Sequence, residues 1–164
     1  MSSLNTALEP LDLIKRQIDS RADHYGIFLG EVKGLNIVFD LTHVEETGKA
    51  CCRIITFEEF ANSKTVQKIA CEESSPEQIK QRMVSLMQDA QGGELLYSVA
   101  GASGWNCEEA ARYVLTGERT SIQLKAEQKT HGLQKTSVGA GFVAIAATVL
   151  AAGAAFLADK QYKD

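Results

Sequence analysis

From Val138 to Ala158 the chain carries no charged residue, and that run limits what everything before it can become. As a helix it is long enough to cross roughly 30 Å of hydrocarbon. A helix apolar all round needs lipid, or a larger core than a chain of 164 residues offers. The expectation is a transmembrane anchor over residues 138–158, with a polar tail at 159–164 and a single globular domain ahead of it. Small residues spaced by four within the run suit packing between membrane helices, so helix–helix self-association is an expected partner mode. The competing structure is an alanine-rich helix buried in the domain, because alanine and glycine add little insertion free energy.

The rest of the composition excludes more than it selects. The net charge is −4 and the basic residues are scattered, not striped, which argues against a nucleic-acid partner. Cys51 and Cys52 are adjacent, Cys71 stands alone and Cys107 lies far downstream. That spacing is neither a disulfide framework nor a CxxC pair, and adjacent cysteines are poorly placed for tetrahedral chelation. No metal and no cofactor are expected, and the domain is expected in a reducing, cytosol-facing setting. The start Met1-Ser2-Ser3-Leu4-Asn5 lacks a basic stretch and an apolar core, so no signal peptide is expected, and Ser2 rules out myristoylation.

Taken in order, the first half reads as strands and the second as helices, an α+β pattern. Leu11 to Ile18 follows a proline and alternates well enough for a short strand; Asp23 to Gly30 and Asn36 to Leu41 form a hairpin around Gly34. His24 opens one hairpin strand and Asp40 lies near the end of the other, so an antiparallel pairing brings both to the same end. His43 is expected just past that second strand. Ala50 to Phe57 reads as another strand and Thr65 to Cys71 as a further one, with polar Glu58 to Lys64 between them. Ser75, Pro76 and Gln78 announce a helix carrying Ile79, Met83, Leu86 and Ala90 on its apolar face, ended by Gly92-Gly93. Glu94 to Val99 leads into a loop. A domain over residues 1–120 then gives way to a polar linker at 121–137, which holds His131.

Chemistry concentrates at Asn106-Cys107-Glu108-Glu109. Asn106 is a good N-cap, Glu109 completes a capping box, and Gly117 supplies the stop, which puts Cys107 in the first turn of a helix. The positive end of the helix dipole favours the thiolate, the form that attacks carbonyls, while Glu108 and Glu109 add opposing negative charge. A histidine partner is therefore needed. Considered from helix position alone, Cys107 reads first as a small buried residue and only second as a nucleophile.

These blocks resemble the lecithin:retinol acyltransferase-like family. The similarity rests on Asp12-Leu13-Ile14, on Asp23-His24-Tyr25-Gly26-Ile27-Phe28-Leu29-Gly30, and on Asn106-Cys107-Glu108 followed by a helix and Gly117. It runs from about Pro10 to Gly117 and is nearest to the small phospholipase A/acyltransferase branch, whose members also end in a hydrophobic helix. The resemblance implies a circularly permuted papain-like domain with an antiparallel sheet and a cysteine-bearing helix. It implies Cys107 as nucleophile and His24 as base, acting on an acyl ester of a glycerophospholipid through a thioester. Water, an amine or a lyso-lipid would accept the acyl group.

Two positions depart from the family pattern. Phe39-Asp40-Leu41 stands where the family usually has a Val-His-Leu-like triplet, and Glu109 stands where histidine commonly follows Asn-Cys-Glu. Asp40 can accept from an imidazole N–H and so serve as the orienting group. Backbone N–H groups at the start of the Cys107 helix are expected to contribute an oxyanion hole, with Tyr25 a candidate for lining the site. Two other functions stay open: a thiol peptidase on the same fold, and a membrane-anchored binding protein that has lost catalysis. Asp40 within reach of His24, and His24 within reach of Cys107, would favour catalysis.

Overall fold

Two residues with positive φ, Lys33 at 52° and Gly34 at 79°, turn the chain back on itself and pair β2 (Asp23–Val32) with β3 (Leu35–Val44). Such a two-residue turn matches the right-handed twist of its strands. The computed structural model of the chain describes residues 7–20, 22–99, 104–123 and 125. Within it, β1 (Leu13–Gln17), β4 (Lys49–Thr56) and β5 (Val66–Ile69) complete a five-stranded sheet of order β4-β3-β2-β1-β5. Every pairing is antiparallel. The domain is α+β.

Helices cover both faces. On one, Leu13, Tyr25, Ile27, Phe39 and Leu41 pack with Ile79 and Leu86 of α2 (Pro76–Gln91) and with Ala110, Ala111, Val114 and Leu115 of α3 (Cys107–Thr116). On the other, Ile14, Phe28 and Val38 meet Phe57 and Phe60 of α1 (Phe57–Ala61). A strand buried on both faces loses clean alternation, which is why Tyr25 to Leu29 reads as a nearly continuous apolar run. Gly30, at φ 98°, sits at a break in the β2–β3 register that bends the strand end.

The helix starts follow from local chemistry. Ser75 and Gln78 form a capping box at α2, and Asn106 and Glu109 form one at α3, as their spacing predicts. Arg82 of α2 donates to the Val114 and Leu115 carbonyls at 2.9 and 3.2 Å, satisfying the C-terminal end of α3 and tying the two helices together.

Two expectations need correcting. Phe57 is not the end of a strand: Thr56 and Glu59 make a third capping box, and the stretch read as polar connection opens with α1. His43 is not past the hairpin but inside β3, paired with Ala50. In the run that leads into the loop, Leu96 bridges to Lys49 beside the sheet and Tyr97 to Trp105. The anchor expected at 138–158, the tail at 159–164, His131 and most of the linker lie outside the described residues. No helix among the described residues is long and apolar enough to cross a membrane.

Candidate active site

The cysteine arrives on a rigid element. Asn106 accepts from the Glu109 N–H at 2.8 Å and donates its own N–H to the Glu109 carboxylate at 3.2 Å, which fixes the first turn of α3. Gly117 closes the helix at φ 85°. Cys107 is the first helical residue and only 6% exposed.

The sheet provides a place for it. The β2–β3 pairing ends at Gly26 and Asp40, while β3 continues along β4 to Val44. Beyond that point β2 and β3 part, leaving the backbone of Asp23 to Tyr25 free on one side. The start of α3 enters this fork: the Cys107 sulfur lies 3.9 Å from the Asp23 carbonyl and accepts from the Tyr25 N–H. A sheet that opens at one end is thus the reason a helix packed on one face can reach a histidine on the other.

His24 and Asp40 share that second face. His24 Nε2 donates to Asp40 Oδ2 at 2.8 Å, leaving Nδ1 for the Cys107 sulfur, with which the ring is hydrogen-bonded. Asp40 is 1% exposed and is also gripped by Arg53, its partner across β3 and β4, through Nε at 2.9 Å and Nη2 at 2.5 Å. Phe60 packs against the His24 ring at 5.4 Å. The structure therefore brings Cys107, His24 and Asp40 together.

Electrostatics favours the ionic form of the pair. Burial works against charge on each member, yet the Cys107 sulfur and Asp40 outweigh it and raise His24 to about 9. In return, burial pushes the Cys107 thiol up, but His24, the Tyr25 N–H and the Tyr97 hydroxyl hold it below its ordinary value. Asp40 is lowered against its own burial by His24 and Arg53. The other thiols go the opposite way: burial raises Cys51 and Cys71, and raises Cys52 to about 12.

The two glutamates expected to oppose the thiolate are turned to other tasks. Glu108 is fully buried and accepts from Arg112 at 2.9 Å, Ser121 at 2.6 Å, and the N–H groups of Ile122 at 3.0 Å and Gln123 at 3.1 Å. Those four donors overcome burial and keep it a carboxylate. Glu109 is held in the capping box, with Arg119 at 3.4 Å. Arg119 also stacks over Trp105 at 4.3 Å and donates to the Gly104 carbonyl, which braces the loop before Cys107.

Two residues escaped the sequence. Tyr97 donates its hydroxyl to the Cys107 sulfur and accepts from the Cys107 N–H, and its ring meets His43 edge-on at 5.6 Å. Nothing periodic marks it; only its place in the run ahead of the cysteine hints at proximity. Arg53 was findable, since continuing the hairpin register into the next strand sets it opposite Asp40. Tyr25 contributes its backbone, while its ring packs in the apolar core. Among the described residues no three ligand side chains cluster to hold a metal.

A buried thiol, an imidazole and a carboxylate in series, beside a helix N-terminus, can perform nucleophilic acyl transfer. Compared with known proteins, the chain matches no family model and no curated protein.

Proposed function

We propose that the chain is a cysteine-dependent phospholipase A/acyltransferase, built on a circularly permuted papain-like domain and held at the membrane by residues 138–158 with its catalytic domain facing the cytosol. The observation that carries this reading is the continuous contact from Arg53 through Asp40 and His24 to Cys107, which favours a thiolate–imidazolium pair. The order of elements supports the fold assignment, since the strand bearing His24 precedes the helix bearing Cys107. The reach of Asp40 to His24 favours catalysis over a purely binding role.

In the proposed reaction the Cys107 thiolate attacks the carbonyl carbon of a glycerophospholipid acyl ester. The developing oxyanion takes the Cys107 N–H and the Tyr97 hydroxyl as donors. His24 gives its Nδ1 proton to the departing glycerol oxygen as the C–O bond breaks, leaving a thioester. Neutral His24 then takes a proton from water, an amine or a lyso-lipid hydroxyl, whose attack releases the thiolate. Asp40 holds the ring and stabilises its charged form. No cofactor is required.

The test is intact mass of the full chain in mixed micelles or vesicles containing phosphatidylcholine, beside Cys107→Ala and His24→Ala. A hydroxylamine-labile acyl adduct on the parent, absent in Cys107→Ala, supports the thioester route. Absence of adduct and of free fatty acid, with Cys107 alkylated no faster than Cys51, Cys52 and Cys71, overturns it.

A further inference from the structure

The register of the sheet sets four ionisable side chains in a row across one face. Arg16 of β1 stands opposite His24 of β2, Asp40 of β3 stands opposite Gly26 on the same face of β2, and Arg53 of β4 stands opposite Asp40. Directly opposed residues share a face, so Arg16 flanks His24 on the side away from Asp40.

Arg53 and Arg16 differ in what they hold. Arg53 places two donors on Asp40, and Asp40 also accepts from His24, so its oxygens are committed. Arg16 makes no ion pair with any described residue, and its Nε is buried without a hydrogen-bond partner, with the guanidinium 5.9 Å from the centre of the Phe60 ring. Desolvating a guanidinium without an acceptor is costly, and buried donors in folded proteins are nearly always satisfied. Arg16 also lies within the fields of Asp40, Arg53 and Cys107, so it belongs to the site. The row and the thiolate together comprise three cations, Arg16, Arg53 and His24, against two anions, Asp40 and Cys107. Of these three cations, His24 and Arg53 are ion-paired with Asp40, and Arg16 makes no ion pair with any described residue.

We propose that Arg16 is the subsite for the phosphodiester anion of the acyl donor, an assignment that rests on the acyl-transfer function above. The planar guanidinium matches tetrahedral phosphate oxygens through two parallel donors. A glycerophospholipid carries that anion a few bonds from the ester to be cleaved, so gripping it beside His24 would present the carbonyl to Cys107. Arg16 would then act in binding and orientation, not in proton transfer.

The experiment compares two donors with the same short acyl chains, a phosphatidylcholine and the uncharged diacylglycerol, on the full chain and on Arg16→Gln and Arg16→Lys. Arg16→Gln is expected to lower the ratio of kcat/KM for phosphatidylcholine over diacylglycerol by about tenfold or more, chiefly through KM, with Arg16→Lys in between. An unchanged ratio overturns the proposal. If neither donor turns over, the acyl-transfer function fails by itself and Arg16 is judged by alkylation of Cys107. The rate ratio of iodoacetate to iodoacetamide should fall about tenfold in Arg16→Gln, and an unchanged ratio removes the anion subsite. Protection of Cys107 by inorganic phosphate as strong as that by phosphatidylcholine would assign the site to free phosphate and overturn the lipid assignment. Should Arg16→Gln not fold, Arg16→Lys, which keeps the charge and loses the fork, carries the same ratios.

Discussion

Gln123 grips both backbone groups of Asp23, a hundred positions earlier in the chain: its Oε1 accepts from the Asp23 N–H at 3.1 Å and its Nε2 donates to the Asp23 carbonyl at 3.4 Å. The same short segment supplies Ser121 and two N–H groups to Glu108 on α3. It therefore clamps the helix bearing the cysteine to the strand bearing the histidine. Gln123→Ala should slow acyl-adduct formation about five- to tenfold, corresponding to about 1 kcal/mol for hydrogen bonds of this kind, while the protein remains folded. Stopped-time intact mass and thermal melting measure the two effects separately.

Asp40→Asn removes the charge that supports imidazolium and leaves Arg53 without its counter-ion. His24 then loses part of its elevation, and the thiolate loses part of its partner. The acid limb of Cys107 alkylation should move up by about one pH unit or more, and acyl transfer should fall by about a hundredfold. A pH series of iodoacetamide labelling, mapped by mass, checks the direction.

Much of this arrangement was legible before any coordinates. The helices at Pro76 and Cys107 declare themselves through caps and glycine stops, and the hairpin around Gly34 brings His24 and Asp40 to one end by pairing alone. What stayed hidden depended on contacts between segments. The five residues of α1 are too few for a periodic signal, and Thr56 with Glu59 was the sole local cue. Tyr97 acquires its role only because its segment docks beside β4. The neutralising donors on Glu108 come from Ser121, Ile122 and Gln123, in a stretch whose polar composition reads as linker.

Gly26 has a structural duty that a methyl group would break. A Cβ there would lie 2.8 Å from Phe60 Cε2 and 2.8 Å from Val38 Cγ1. Phe60 is the ring against His24, so displacing it disturbs the site as well as the core. Gly26→Ala should cost about 1–3 kcal/mol of stability and reduce activity together, read by urea unfolding and by turnover.

Stability should respond to pH in a defined way. The raised value of His24 contributes stability that is complete below its ordinary 6.5 and lost as pH rises through about 9. The lowered value of Cys107 contributes stability present above its ordinary 9.0 and lost as pH falls through its folded value. Below 9 the gain with pH from Cys107 opposes the loss with pH from His24, so the net dependence should be weaker than either group alone would give. Asp40 adds a second acid-side loss, present above its ordinary 3.8 and removed as pH falls through its depressed value. In Cys107→Ala that opposition is gone and the part of the His24 elevation that Asp40 supplies remains, so stability should fall with rising pH, which equilibrium unfolding at several pH values would reveal.

The charged pair itself is tested most directly by the rate of iodoacetamide labelling at each cysteine of the full chain near pH 6.5, with peptide mapping and with His24→Ala as comparison. Cys107 should react at least about tenfold faster than Cys51, Cys52 and Cys71 despite its burial, and lose that advantage in His24→Ala. A Cys107 labelled no faster than the other three, or unaffected by loss of His24, would contradict a thiolate held by that histidine.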